Sequence, residues 1–292
     1  MSKIRKAVIP AAGYGTRFLP VVKSVPKEML PVVDKPAIQY IVEEAVASGI
    51  EDIIIVTSSS KKAIEDYFDN NLELEAYLEK NGKLDQLEQI RKISSLANFI
   101  YVRQKGPYGN GTPVLNAEKI IGDEPFAVMW GDQFTASTVQ PRLKQCIDVF
   151  EKYGRPVISA VKVPKKDLVR YGVPKVEEVE NLTYIAHELI EKPSIEEAPS
   201  DLALDGAYIL TPDIFTALKN LEPGKGGEIW LADGINKLRE VGPIYCREVE
   251  GGTYYDCGNV LEYIKTNVEV ALKRDDIGGD FRDYLKEISR KL

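Results

Sequence analysis

A short apolar run that opens directly into a glycine loop constrains the fold of this chain more than any other feature. Residues 7–10 form the apolar run, and the loop that follows reads Ala11-Ala12-Gly13-Tyr14-Gly15-Thr16-Arg17. Backbone N–H groups flanked by small side chains can approach the oxygens of a phosphate chain, and an arginine neutralises their charge. Lys27 supplies a second cation in a segment bounded by Pro26 and Pro31. This combination predicts a triphosphate cradle at the end of a strand.

The order of helix and strand patterns predicts the fold class. Apolar residues recur at helical spacing between Ile38 and Val46, and Gly49 follows where a helix would end. The continuous apolar run at residues 53–56 is typical of a strand buried on both faces. We therefore expect an α/β fold with a doubly wound, mostly parallel mixed sheet that binds ligands above its strand ends. Strand-like runs predominate from about residue 156, and the chain closes on helices near residues 260–273 and 281–292.

Composition and charge exclude several classes of function. The 292 residues include 38 basic and 45 acidic side chains, and the net charge of −7 argues against nucleic acid or an anionic membrane as the main partner. No apolar stretch approaches the roughly 20 residues that span a bilayer, and no secretory signal is visible, so we expect a cytoplasmic location. Cys146, Cys246 and Cys257 are widely spaced, which favours reduced thiols. The single histidine, His187, has no partner for a multi-histidine zinc site.

Two aspartates are candidates for a metal site. Asp132 follows an apolar run and a glycine, and Asp256 follows Tyr254 and Tyr255, so both are expected at strand ends. Two carboxylates that converge on phosphate oxygens suit Mg²⁺, which completes its shell with substrate oxygens and water. Taken singly, an aspartate after a strand is more often a helix cap, and position alone leaves both interpretations open.

Other candidate residues also have a structural interpretation. Gln104 and Gly109 lie in a segment that suits either contact with a nucleobase or a simple turn. Glu191 and Lys192 suit either hydroxyl and phosphate binding or a surface ion pair at the end of a strand. The glycine loop also resembles the start of a dinucleotide-binding loop, but the third glycine of that pattern is absent.

The glycine loop and the segment Pro26-Lys27-Glu28-Met29 resemble the signature of the sugar-1-phosphate nucleotidyltransferases, and the bacterial UTP:glucose-1-phosphate uridylyltransferases are the closer match. The similarity continues through segments in both halves of the chain, at residues 34–40, 49–52, 103–105, 122–128, 191–193, 226–229 and 255–256. It implies a Rossmann-like nucleotidyltransferase fold. It also implies Mg²⁺-assisted attack of glucose 1-phosphate on the α-phosphorus of UTP, with UDP-glucose and pyrophosphate as products.

The same resemblance implies a role for each candidate residue. Arg17 and Lys27 would be the catalytic cations, and Asp132 and Asp256 would hold Mg²⁺. The nucleotide would be bound by Ala11, Ala12, Gly13, Gly15, Thr16, Gln104 and Gly109. The sugar and its phosphate would be bound by Gly172, Glu191, Lys192 and Gly206. Because adjacent residues of a strand point to opposite faces, Glu191 and Lys192 reach one ligand only if the chain bends there, and Pro193 marks a candidate position for that bend.

We expect one nucleotidyltransferase domain over residues 1–292. It comprises a nucleotide-binding half at residues 1–155, a sugar-binding half at 156–258, and C-terminal helices at 259–292 that suit the contacts of a homodimer or homotetramer. The expected partners are UTP, a hexose 1-phosphate and a UDP-sugar product, with no nucleic acid and no membrane.

Departures from the family pattern leave alternative functions open. The departures lie around the expected cleft, at Thr112, Gln133, Ala207, Cys257, Asn259 and Val260. One alternative is the same transfer with dTTP or with another sugar 1-phosphate, such as an acetamido hexose. A second is a UDP-sugar sensor that has lost catalysis. A third is a glycosyltransferase, which the triphosphate loop disfavours.

Overall fold

The computed structural model describes residues 3–291 as alternating strands and helices. The strands are β1 (Lys6–Pro10), β2 (Pro31–Val32), β3 (Lys35–Pro36), β4 (Asp52–Thr57), β5 (Asn98–Arg103), β6 (Phe126–Met129), β7 (Gln133–Ser137), β8 (Val157–Lys162), β9 (Gly172–Glu180), β10 (Thr183–Glu191), β11 (Leu202–Leu210), β12 (Ile244–Glu248) and β13 (Gly252–Asp256). The α-helices are α1 (Ala37–Ala47), α2 (Lys62–Phe68), α3 (Leu72–Lys80), α4 (Leu84–Ser94), α5 (Thr112–Asn116), α6 (Glu118–Ile121), α7 (Arg142–Tyr153), α8 (Asp213–Lys219), α9 (Leu231–Leu238), α10 (Val260–Leu272) and α11 (Gly278–Ser289). Short 3₁₀ helices lie at Thr16–Phe18, Val21–Lys23, Lys27–Met29, Lys165–Arg170 and Lys225–Gly227.

Nine strands form one sheet in the order β5-β4-β1-β6-β11-β8-β12-β10-β9. The strands β5, β4, β1 and β6 are parallel neighbours, and β12 is parallel to β8. The strand β11 is antiparallel to β6 and β8, and β10 is antiparallel to β12 and β9. Seven of the nine strands therefore point the same way, which confirms the predicted mixed, mostly parallel sheet.

Both faces of this sheet are covered by helices. In β1, Ala7 and Ile9 pack in an apolar cluster with Ile38 and Ile41 of α1. Val8 points to the opposite face, where it belongs to a cluster that includes residues of α8 and α9. Because successive side chains alternate between two buried faces, the strands read as continuous apolar runs. The loops at the carboxyl ends of β1 and β6 are left to form the site.

A two-stranded ribbon beside the main sheet was not anticipated from the sequence. The strands β7 and β13 pair in antiparallel register, with Asp256 opposite Gln133 and Gly252 opposite Ser137. The long helix α7 follows the ribbon's first strand and was also missed. The ribbon joins residues that are far apart along the chain.

The C-terminal helices agree with expectation over the described residues. α10 ends at Leu272 and α11 at Ser289, and Leu292, to which the last helix was predicted to extend, lies outside the described residues.

The three cysteines are buried free thiols, as predicted. In the described portion, none of the helices has the length and apolar character needed to traverse a bilayer.

Candidate active site

The carboxylates of Asp132 and Asp256 are brought together by the β7–β13 ribbon. Asp132 directly precedes β7, Asp256 ends β13, and the N–H of Cys257 donates to the carbonyl oxygen of Asp132 at 2.9 Å. A Cβ placed on Gly258 would lie 2.8 Å from Oδ2 of Asp132 and 3.1 Å from Oδ1 of Asp256. Both carboxylates therefore face one small space, which only a residue without a side chain leaves open.

The charge of these carboxylates is only partly compensated. Burial and the charge of Asp132 raise the pKa of Asp256, and the hydrogen bond that the Gly258 N–H donates to its Oδ1 at 2.8 Å acts in the opposite direction. Within residues 3–291 there is no group of three or more histidine, cysteine, aspartate or glutamate side chains arranged to enclose a metal. Two converging carboxylates without a third protein ligand fit Mg²⁺, because this ion takes its other ligands from phosphate oxygens and water.

Lys27 lies against this carboxylate pair. It begins the 3₁₀ helix at residues 27–29, and its Nζ donates a hydrogen bond to Oδ2 of Asp132 at 2.5 Å. Burial acts to lower the pKa of Lys27, but the negative charges of Asp132 and Glu28 exceed that effect and raise it. Lys27 is therefore a permanent cation at the site. Its stem is covered by Gly15, where φ is +66° and a Cβ would lie 3.1 Å from the Cβ of Lys27.

A buried ion pair supports the turn that carries Lys27. Glu28 is 1% exposed and accepts hydrogen bonds from Nζ of Lys61 at 2.9 and 2.8 Å. Burial raises the pKa of Glu28, and the Lys61 charge opposes this. Lys61 was not predicted from the sequence, because a lysine after three serines at the start of a helix is typical of a solvated residue.

The glycine loop first continues the hydrogen bonding of β1. It then brings Arg17 toward the carboxylates of Asp132 and Asp256. The N–H of Ala11 donates to the carbonyl of Val56 at 2.8 Å, so Ala11 is held against β4. Thr16 starts a 3₁₀ helix, and Nη1 of Arg17 donates to the carbonyl of Gly258 at 3.3 Å. Arg17 and Lys27 thus approach the Asp132–Asp256 pair from two parts of one loop.

A cavity of about 340 Å³ opens beside these groups. Six of the predicted site residues line it: Ala12, Gly13, Lys27, Gln104, Gly109 and Asp132. The other predicted residues do not line it: Ala11, Gly15, Thr16, Arg17, Gly172, Glu191, Lys192, Gly206 and Asp256. The lining also includes residues that the sequence analysis did not propose: Pro10, Tyr14, Glu28, Tyr108, Asn110, Pro113, Trp130, Glu228 and Trp230.

The loop that carries Gln104 and Gly109 is held in place by the segment before α9. At Gly109 φ is +124°, and a Cβ would lie 2.2 Å from the carbonyl oxygen of Ile229. The N–H of Ile229 donates to the carbonyl of Tyr108 at 2.9 Å, and that of Leu231 donates to Oδ1 of Asn110 at 2.7 Å. The hydroxyl of Tyr108 also lies 2.7 Å from that of Tyr14 in the glycine loop. This loop is therefore an ordered wall of the cavity.

The predicted sugar residues form a second group that adjoins the cavity. Glu191 pairs with Gly172 across β10 and β9, and a Cβ on Gly172 would lie 3.2 Å from Oε2 of Glu191. The bend required for Lys192 is present at Lys192 itself, where φ is 50°. Its Nζ consequently lies 3.4 Å from Oε1 of Glu191 and 5.0 Å from the ring centre of Trp230, which lines the cavity.

Several departures from the family pattern have clear structural positions. Oε1 of Gln133 would lie 2.5 Å from a Cβ on Gly206, so this residue borders the sugar group. Asn259 caps α10 by accepting hydrogen bonds from the N–H groups of Leu261 and Glu262. Thr112, Ala207 and Cys257 are buried.

The fold and the site together define a nucleotidyltransferase. The profile of the family described as "Nucleotidyl transferase" matches residues 6–273. Proteins named UTP–glucose-1-phosphate uridylyltransferase from Staphylococcus epidermidis and Bacillus subtilis are 48% and 47% identical to this chain, over 99% of its length and 99% and 97% of theirs. The chain therefore belongs to the nucleotidyl transferase family and, within it, to the UTP–glucose-1-phosphate uridylyltransferases.

Solved structures agree with this assignment. The UTP-bound UGPase from Acinetobacter baumannii has a TM-score of 0.91 at 38% identity, over 98% of this chain and 99% of that one. A UDP-glucose pyrophosphorylase complexed with UDP-glucose has a TM-score of 0.85 at 42% identity, over 93% of this chain and 100% of that one.

Proposed function

We propose that this chain transfers the uridylyl group of UTP to α-D-glucose 1-phosphate and releases pyrophosphate. One observation carries this proposal: the Lys27 ammonium and the carboxylates of Asp132 and Asp256 meet beside a glycine loop at the carboxyl end of β1. Its substrates are suggested by the relatives, which are named for UTP and glucose 1-phosphate and match the chain over 99% of its length.

The chemistry requires cations and positioning rather than a general base. The phosphate oxygen of the sugar 1-phosphate is already anionic, so it can attack the α-phosphorus without losing a proton. The bond that breaks joins the α-phosphorus to the oxygen that leaves with pyrophosphate. Lys27 would stabilise the charge that develops at the α-phosphate, and Arg17 would bind the β- and γ-phosphates through its planar fork. Holding the two polyanions in line supplies much of the remaining rate enhancement.

Asp132 and Asp256 would hold Mg²⁺ in this site. When bound, the ion neutralises phosphate charge and fixes the orientation of the phosphate oxygens. Nucleotide binding would involve Ala11, Ala12, Gly13, Gly15, Thr16, Gln104 and Gly109. The hexose and its phosphate would be bound by Gly172, Glu191, Lys192 and Gly206, which adjoin the cavity through Trp130 and Trp230.

A coupled assay of pyrophosphate release tests this function. We expect release only when UTP, glucose 1-phosphate and Mg²⁺ are present together, with Lys27→Ala as the inactive reference. A panel of dTTP and N-acetylglucosamine 1-phosphate compares kcat/KM for the alternative substrates. No release across the panel, combined with tight UDP-glucose binding in calorimetry, would instead identify a non-catalytic sensor.

The proposal extends to domain organisation, location and assembly. Residues 1–155 would bind the nucleotide and 156–258 the sugar, within one domain. The buried free thiols suit a reducing, cytoplasmic location. Leu261 and Ile264 of α10 are 59% and 54% exposed, and such side chains favour a homodimer or homotetramer through the C-terminal helices. Light scattering coupled to gel filtration measures the assembly.

A further inference from the structure

The two tryptophans of this chain line the same cavity as Lys27 and Asp132. Trp130 directly follows β6 and Trp230 directly precedes α9, so the two rings come from different halves of the chain. The transfer chemistry described above uses cations and carboxylates and gives neither indole a role. Their shared position beside the reacting groups requires another explanation.

Trp130 is fixed by residues of the sugar group. The backbone N–H of Trp130 donates to the carbonyl of Gly206 at 2.9 Å, and a Cβ on Gly206 would lie 2.5 Å from Cδ1 of the indole ring. The buried ring of Tyr208 meets the indole edge to face, with centroids 5.6 Å apart and an interplanar angle of 68°. Gly206 leaves room for the indole because it has no side chain, and the ring of Tyr208 packs against the indole. Together these contacts fix the orientation of the indole at the cavity.

Trp230 links the cavity to the predicted phosphate contact of the sugar. The Nζ of Lys192 lies 5.0 Å from the centre of its ring and 3.4 Å from Oε1 of Glu191. A cation over an indole face is attracted by the ring quadrupole. Both indoles thus adjoin the predicted sugar residues and line the cavity that also contains Lys27 and Asp132.

A pyranose ring is the part of the substrates that suits these indoles. A triphosphate gains nothing from an indole face, because the face carries the negative end of the ring quadrupole. In the proposed function, the uracil is assigned to the loop that carries Gln104 and Gly109. In glucose the hydroxyls at C2, C3 and C4 are equatorial, so axial C–H bonds give the ring apolar faces that can pack on an aromatic surface.

We propose that Trp130 and Trp230 form an aromatic wall of the hexose subsite. Within it, Trp130 is a binding residue whose indole packs against an apolar face of the hexose ring. This inference rests on the proposed function and adds the surface by which the site recognises its sugar.

Initial-rate kinetics of Trp130→Leu and Trp130→Phe test the inference. Leucine keeps an apolar side chain but removes the aromatic face, whereas phenylalanine retains one. We expect Trp130→Leu to raise the KM for glucose 1-phosphate about tenfold, with the KM for UTP changed by less than about twofold. We expect the KM of Trp130→Phe for glucose 1-phosphate to stay much closer to the original value than that of Trp130→Leu. An unchanged KM for the sugar, or a change confined to UTP, overturns the inference.

A binding measurement separates this inference from the proposed function. In Trp230→Phe the indole of Trp130 is the remaining tryptophan, so intrinsic fluorescence reports on it directly. We expect UDP-glucose to change its emission more strongly than UDP does. An equal response to UDP and UDP-glucose contradicts the inference whether or not the protein turns over. If the unaltered chain shows no turnover, that result refutes the proposed function only. The binding measurement still decides the inference about the two indoles.

Discussion

The ammonium of Lys27 and the carboxylate of Asp132 form a hydrogen-bonded ion pair of 2.5 Å at the edge of the cavity. Lys27 is carried by a turn near the start of the chain, and Asp132 by the junction between β6 and β7. Because Asp132 also neighbours Asp256, each carboxylate stands in the field of the other and of one lysine. The pair thus joins the 3₁₀ turn at residues 27–29 to the carboxylates that suit Mg²⁺.

Removing either member of this pair should abolish most of the activity. We expect Lys27→Ala and Asp132→Ala each to lower kcat by about a hundredfold or more, because each removes charge stabilisation in the transition state. Lys23→Ala removes an exposed lysine from the neighbouring 3₁₀ helix and should leave kcat within about twofold of the original value. Pyrophosphate release at saturating substrates measures all three. Unchanged turnover in Lys27→Ala or Asp132→Ala would remove that residue from its assigned role.

The second carboxylate should control the requirement for metal. We expect Asp256→Asn to raise the Mg²⁺ concentration for half-maximal activity by at least about tenfold, because the variant keeps the side-chain size but removes one of two anionic ligands. Asp123→Asn is the matched control, since it removes the same charge from an exposed position after α6. Activity measured against total Mg²⁺ at constant ionic strength gives both values. If activity depends on the Mg²⁺ concentration in the same way in the two variants, Asp256 is excluded as a ligand of Mg²⁺.

The conformation of Gly206 should be intolerant of a side chain. Its φ is +86°, and a Cβ would lie 2.5 Å from both the Trp130 ring and Oε1 of Gln133. Gly49 has a similar φ of +92° but has no atom within 4 Å of its Cβ position, so Gly49→Ala measures the backbone cost alone. We expect Gly206→Ala to lower the free energy of unfolding by about 1–3 kcal/mol more than Gly49→Ala. Urea denaturation provides the comparison, and equal losses would show that Trp130 and Gln133 move aside without cost.

The sequence predicted the main sheet and the position of the glycine loop at the end of its first strand, because local patterns specify both. The strand before the glycine loop, the helix over residues 37–47 and the strand over 52–57 all follow from apolar periodicity and glycine positions. The β7–β13 ribbon was missed, because its strands are short, partly exposed and paired over a long sequence separation. The resemblance suggested that Asp132 and Asp256 act together, but only the ribbon register explains how they meet.

The sugar side of the site was less predictable for a different reason. Trp130 and Trp230 read as ordinary apolar residues at the ends of elements, and their shared cavity depends on the packing of β11 and α9. Pro193 indicated a bend near Lys192, but the left-handed backbone at Lys192 itself was not predicted, since lysine rarely adopts it and the following proline does not require it. Features that depend on tertiary contacts therefore account for most of what the sequence left undetermined.

The buried pair of Glu28 and Lys61 should be the most costly ion pair to break at this site. Lys61→Met leaves the Glu28 carboxylate buried without its partner, and we expect a loss of about 3–5 kcal/mol in the free energy of unfolding. Lys144→Met breaks the exposed pair with Asp148 and should cost less than about 1 kcal/mol. The double variant Glu28→Gln with Lys61→Met removes both charges, so it should lose less than the two single variants combined. Urea denaturation at neutral pH measures the set. A loss in Lys61→Met no larger than in Lys144→Met would mean that the turn carrying Lys27 does not depend on this pair.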